Sequence, residues 1–252
     1  MKTYLLTGGA TGIGAAIRSA LLGAGHRVLT VDIKDGDYLV DLSDADARKS
    51  VIQQIREDHP TLDGVITCAG VASHFPDRRK ILAINYAGTI DIISGLKATL
   101  GRGARVIAIS SNSAPMCGSS ELVDALINDD FSTADKIADD VSGHDCYSGS
   151  KQAVARWVRK MAPDYAREGI SMNAIAPGYI ETPMTQAVAQ NPQYGDAIRQ
   201  FVASIPAGRP GTPEDIAQLV NFLLQPASDF IAGSLIFVDG AHDAMMRPDA
   251  FC

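Results

Sequence analysis

Short apolar runs alternate with amphipathic stretches along the whole chain. Residues 3–7, 27–31, 38–42, 64–68, 105–111, 170–176 and 234–238 are brief runs rich in Val, Ile, Leu, Thr and Tyr. Glycine or other turn formers bound them, and they read as strands. Between them apolar residues recur at helical spacing. One such stretch ends near residue 24, a second spans 45–58 behind Ser43 or Asp44 as cap, and a third spans 77–100. A fourth spans 147–167 with a stripe of Val154, Trp157, Val158 and Met161, and a fifth opens at Thr212-Pro213. Strand followed by helix throughout predicts an α/β fold: a doubly wound parallel sheet of about seven strands, flanked by helices and joined by right-handed crossovers.

At 252 residues, with no Pro/Gly/Ser-rich linker, the chain is predicted to be a single domain, 1–252. Two segments depart from the alternation. At about 113–145, Ser119 or Ser120 can cap a helix over 121–128, and Ser132-Thr-Ala-Asp135 resembles the opening of a second with Ala134, Ile137, Ala138 and Val141 on one face. These predict a helical insertion. At about 184–211 a loop with helical stretches carries Met184, Tyr194 and Phe201, apolar enough to face a hydrophobic substrate.

Composition narrows the partners. A net charge of −7 without a lysine-rich run argues against nucleic acid or an anionic membrane, and no apolar run approaches the ~18 residues of a span. The four cysteines, at 68, 117, 146 and 252, and the five histidines lack metal-ligand spacing; reduced thiols in a cytoplasmic protein without a metal are the expectation.

The candidate chemistry collects at strand ends. Gly8-Gly-Ala-Thr-Gly12-Ile-Gly14 joins the first strand to a helix, where glycines admit close approach and free helix N–H groups favour a phosphate. Asp32 ends the second strand, eighteen residues past Gly14, where a carboxylate can accept from both ribose hydroxyls of a dinucleotide; a turn cap is the other reading. Tyr147 and Lys151 lie four apart and share a helix face. A phenol ionises near pH ~10, and an adjacent ammonium favours the phenolate, giving a group able to take or give a proton. Ser110-Ser111 end the fifth strand as turn or cap residues, and Asn85-Tyr-Ala-Gly88 marks a helix bend or a polar role for Asn85.

Taken together, Thr7-Gly8-x-x-x-Gly12-x-Gly14, Asp41-Leu42, Ala69-Gly70, Asn85, Ser111, Tyr147-x-x-x-Lys151, Pro177-Gly178 with Thr182, and Val238-Asp239-Gly240 resemble, in order and over the whole length, the single-domain Rossmann-like short-chain dehydrogenase/reductase family. The long step from Ser111 to Tyr147, Asn191-Pro-Gln-Tyr-Gly195 and the ending Asp243-Ala-Met-Met-Arg-Pro248 resemble its bacterial branch acting on 3α-hydroxysteroids and other hydrophobic carbonyl compounds.

The resemblance implies an NAD-dependent oxidoreductase, with NADP disfavoured by Asp32, acting on a secondary alcohol or ketone. Tyr147 is then the general acid/base and Ser111 the group holding the substrate oxygen. Lys151 binds the nicotinamide ribose and lowers the Tyr147 pKa, and Asn85 positions a water. Gly8, Ile13 and Gly14 approach the pyrophosphate, Asp32 the adenosine ribose, Asp41 and Leu42 the adenine, Gly70 the cofactor backbone and Thr182 the carboxamide. Thr11, Gly12, Ala69, Pro177, Gly178 and Ile180 complete the cofactor site. Cys68 stands where the family usually has Asn, so another group must satisfy the sheet edge. A dihydrodiol, sugar or other small alcohol as substrate, or a non-catalytic dinucleotide-binding regulator, are the alternatives. The insertion is expected to obstruct the helix pairing of family tetramers and to leave a homodimer through the carboxyl-terminal strand and helix.

Overall fold

The structure, a computed structural model, describes residues 1–183, 185–186 and 195–250. Seven strands, β1 (Thr3–Thr7), β2 (Arg27–Asp32), β3 (Tyr38–Leu39), β4 (Leu62–Thr67), β5 (Leu100–Ile109), β6 (Ser171–Pro177) and β7 (Leu235–Val238), form one parallel sheet in the order β3-β2-β1-β4-β5-β6-β7. Period two along these strands feeds two cores. Leu5, Leu29, Val31, Val65, Val106 and Ala108 point to one face; Tyr4, Leu6, Val28, Ile66, Ile107 and Ile109 point to the other.

The second face is covered by α1 (Gly12–Gly23), through Ile17 and Leu21, and by α9 (Pro213–Leu223), through Ile216, Val220 and Leu223. The first is covered by α2 (Ala45–Asp58), α3 (Arg78–Leu82), α4 (Gly88–Gly95) and α7 (Gly143–Arg167). Two further helices, α5 (Ser120–Ile127) and α6 (Phe131–Asp140), form the predicted insertion; α5 closes over α7, and α6 packs on α5 and α3. They bury Leu122, Val123, Leu126, Ala134 and Ala138 in the same core, each large aliphatic residue contributing about 1.5–3 kcal/mol. Gly149 makes the approach possible, because a Cβ there would lie 3.0 Å from the Cys117 sulfur and 3.2 Å from Leu122. Residues Gly195–Ser204 form α8 and His242–Met246 form α10.

Several boundaries differ from the sequence expectation, each for a local reason. The helix expected over 77–100 is broken: Ala83–Ala87 is a π-turn, and the chain leaves helix after Gly95 to enter β5 at Leu100. Leu39 ends β3, so Asp41 and Leu42 lie beyond it. Asp44, not Ser43, caps α2, accepting from Asp46 N and Ala47 N. Ser119 caps α5, but α6 is capped by Asp130 accepting from Thr133 N, which leaves Ser132 inside the helix. Ser142 caps α7 through Asp145 N, so the helix starts a turn before Tyr147. Met184 and Tyr194 lie outside the described residues. Among the described residues no helix is long and apolar enough to cross a membrane.

Candidate active site

The sheet order reverses between β1 and β4, and the crevice at their carboxyl ends is where an open α/β sheet offers a ligand site. The glycine turn after β1 is packed main chain on main chain. Gly8 has φ +75, and a Cβ there would sit 2.7 Å from Ala69 Cα; a Cβ on Gly14 would overlap the Gly8 carbonyl oxygen. No side chain caps α1, which leaves its first N–H groups without a side-chain partner at the cleft. Asp32 staples the turn to β2: its carboxylate accepts from Ala10 N and Lys34 N, both at 3.1 Å. Thr7 answers the question raised by Cys68, since its hydroxyl accepts from Cys68 N and Ala69 N, each at 3.1 Å.

β5 delivers Ser110 and Ser111, and α7 delivers Tyr147 and Lys151, to the same edge. Ser110 Oγ donates to the Lys151 carbonyl (2.8 Å), and Lys151 Nζ donates to the Ile109 carbonyl (3.0 Å), which locks strand end to helix. The Lys151 nitrogen lies 5.9 Å from the Tyr147 ring centroid. Ser111 Oγ accepts from Ser113 N (3.1 Å) and from Ser113 Oγ (2.9 Å), so Ser113 sets its orientation.

Burial dominates the electrostatics of the site. Burial raises the Tyr147 phenol above its ordinary pKa, the neighbouring Ser111 hydroxyl pulling the other way; in the protein alone Lys151 does not bring it down. Lys151 itself is pushed down to about 8 by burial. The Cys68 thiol is pushed up to about 12 by burial and so is not a thiolate at neutral pH.

These groups line one cleft of about 690 Å³. Gly8, Thr11, Gly12, Ile13, Gly14, Asp32, Asp41, Leu42, Ala69, Gly70, Pro177, Gly178, Ile180 and Thr182 all face it, together with Ser111, Tyr147 and Lys151. Asn85 does not. It is fully buried in the π-turn behind Gly70, with Oδ1 accepting from Val71 N (2.8 Å) and Nδ2 donating to Val71 O (3.0 Å). The sequence reading missed Ser113, Phe75, Lys80 and Thr185. Thr185 exchanges bonds with Thr182, its hydroxyl accepting from Thr182 N at 2.9 Å, and the Thr-Pro-x-Thr spacing is the signal that could have found it.

Residues 2–121 match the family model described as short chain dehydrogenase, and residues 125–241 the model described as Enoyl-(Acyl carrier protein) reductase. The chain belongs to the short-chain dehydrogenase/reductase family and is an oxidoreductase of the kind that acts on alcohols and carbonyls. It is 36% identical to 3-alpha-hydroxysteroid dehydrogenase/carbonyl reductase of Comamonas testosteroni, over 100% of both chains. It is 26% identical to cis-4-hydroxycyclohexanecarboxylate dehydrogenase of Sinomonas cyclohexanicum, over 97% of each. A solved structure, the 3-alpha-hydroxysteroid dehydrogenase from Pseudomonas sp. B-0831 complexed with NADH, superposes with a TM-score of 0.93 at 35% identity, covering 99% of this chain and 100% of that one.

Proposed function

We propose that the chain transfers hydride between a secondary alcohol, or its ketone, and NAD, with a hydrophobic cyclic carbonyl compound of the 3α-hydroxysteroid type as substrate. The convergence of Ser111, Tyr147 and Lys151 with the glycine turn and Asp32 on one cleft carries this reading. The side-chain-free cradle at Gly8 and Gly14 fits a pyrophosphate. Bound nicotinamide supplies or accepts the hydride. Tyr147 takes the hydroxyl proton in oxidation and returns it in reduction, while Ser111, oriented by Ser113, donates to the same oxygen as charge develops there. Lys151, seated on the Ile109 carbonyl, would hold the nicotinamide ribose, and its ammonium would favour the phenolate.

Asp32 favours NAD, since its carboxylate would repel the extra phosphate of NADP. NADH absorbance with a panel of steroids, cyclic ketones, quinones and polyols tests the reading, with kcat/KM for NADH at least tenfold above NADPH expected on the scale of one lost or repelled charge. Equal values would mean that Lys34, which lines the same cleft, turns to the phosphate. The assembly that fits is a homodimer: α5 covers α7, whereas β7 is half-buried and Phe222 and Phe230 are exposed on the carboxyl-terminal side. Light scattering, before and after shortening residues 119–141, distinguishes it from a tetramer paired through α7. The free thiols of Cys68, Cys117 and Cys146 accord with a cytoplasmic enzyme.

A further inference from the structure

The segment after β7 folds back across the carboxyl edge of the sheet. Asp239 organises it, with Oδ1 accepting from Ala241 N (3.1 Å) and Oδ2 from Asp243 N (2.7 Å) and Asn112 Nδ2 (3.5 Å). Gly240 and Ala241 turn the chain through the left-handed region, with φ +66 and +69. Gly240 lies so close to the stretch after α8 that a Cβ would be 2.8 Å from Ile205 and 2.9 Å from Ala207, and its carbonyl accepts from Ala207 N at 3.1 Å.

This turn drives His242 inward, to 4% exposure. Its ring meets Phe201 of α8 edge-on, with centroids 4.8 Å apart, and Nδ1 lies 3.5 Å from Asn112 Nδ2. Each neighbour leads to the site. Asn112 follows Ser111 and donates its N–H to the Pro177 carbonyl (2.9 Å); Phe201 packs on Tyr179, two residues past Pro177, at 6.1 Å. Phe201 keeps 37% of its surface open although rings hold it on two sides. An aromatic side chain fixed in this way loses little freedom when an apolar ligand covers it.

We infer that His242 is a positioning residue that fixes Phe201 of α8 relative to the Ser111 turn and so sets affinity for the carbonyl substrate. It does not line the cofactor cleft, and its effect is exerted through Phe201 and Asn112. The inference rests on the proposed carbonyl chemistry, with α8 as a wall of the substrate site.

Steady-state kinetics with the best cyclic ketone of the panel, beside NADH binding followed by fluorescence, tests it in His242→Ala, His242→Phe, Phe201→Ala and the His242→Ala/Phe201→Ala double variant. In His242→Ala, KM rises about tenfold while kcat stays within about threefold and NADH affinity within about twofold. His242→Phe, which keeps a ring against Phe201, holds KM within about threefold of the parent. The double variant is no worse than Phe201→Ala by more than about twofold, because the two act through one contact. An unchanged KM in His242→Ala, additive losses in the double variant, or equal losses of KM, kcat and NADH affinity overturn the inference. Should His242→Ala fail to fold, a tenfold rise of KM in His242→Phe overturns it alone. A parent protein inactive with every ketone overturns the functional reading and this inference with it, whereas an active parent indistinguishable from His242→Ala overturns only the inference.

Discussion

The two ends of the cleft are built in opposite ways. At the glycine-turn end, main chain packs on main chain, and Gly8 and Gly14 leave no room for a Cβ. At the other end the walls are side chains, Tyr147, Thr182 and Thr185 among them. Steric exclusion fixes residue type at the first end, whereas many apolar side chains could build the second.

The largest expected effect separates the two ends. Tyr147→Phe removes the transferable proton and keeps the ring, so kcat falls by about 100-fold or more while NADH affinity, read by fluorescence titration, stays within about threefold. Lys151→Met tests burial at the reacting end through pH. Folding lowers the lysine pKa from 10.5 to about 8, so the unfolded chain holds a proton that the folded chain has released between those values. The stability of the parent relative to Lys151→Met is at its minimum below about pH 8. It rises by roughly 3 kcal/mol as the pH passes to 10.5, as urea unfolding at a series of pH values would record.

Gly14→Ala attacks the opposite end. Its Cβ meets the rigid Gly8 carbonyl and not a movable side chain, so about 1–3 kcal/mol of stability goes with most of the NADH affinity, and calorimetry beside NADH titration measures both. The smallest effect concerns the turn after β7. Ala241 is held at φ +69, where an alanine is strained by about 1–2 kcal/mol. Ala241→Gly therefore raises Tm by about 2–4 °C for each kcal/mol regained.

The same contrast decides what was legible in the sequence. The strands around β1, the glycine turn, Asp32 and the Tyr147–Lys151 pair were readable because short apolar runs, glycines and a four-residue helical step are local signals. Asn85-Tyr-Ala-Gly88 signalled irregularity, and the structure resolves it as a π-turn with the Asn85 amide bound to Val71. Gly101 and Gly103 hid the start of β5, whose first residues pair with a neighbour that lies far off in sequence. Asp130 outcompeted Ser132 as the cap of α6, a choice between adjacent polar residues that periodicity does not make. The raised Tyr147 pKa was not foreseen, since the burial that causes it exists only in the assembled cleft. His242 escaped because its partners, Asn112 and Phe201, meet it only through the fold.

Transfer of deuterium tests the central claim most directly. NADH carrying deuterium at one face or the other of nicotinamide C4 is incubated with the protein and a cyclic ketone, and the product alcohol is analysed by mass spectrometry. Direct hydride transfer in a site that holds both reactants in one orientation predicts deuterium on the carbinol carbon from one labelled form and none from the other. An alcohol unlabelled from either form, or equally labelled from both, would contradict the account.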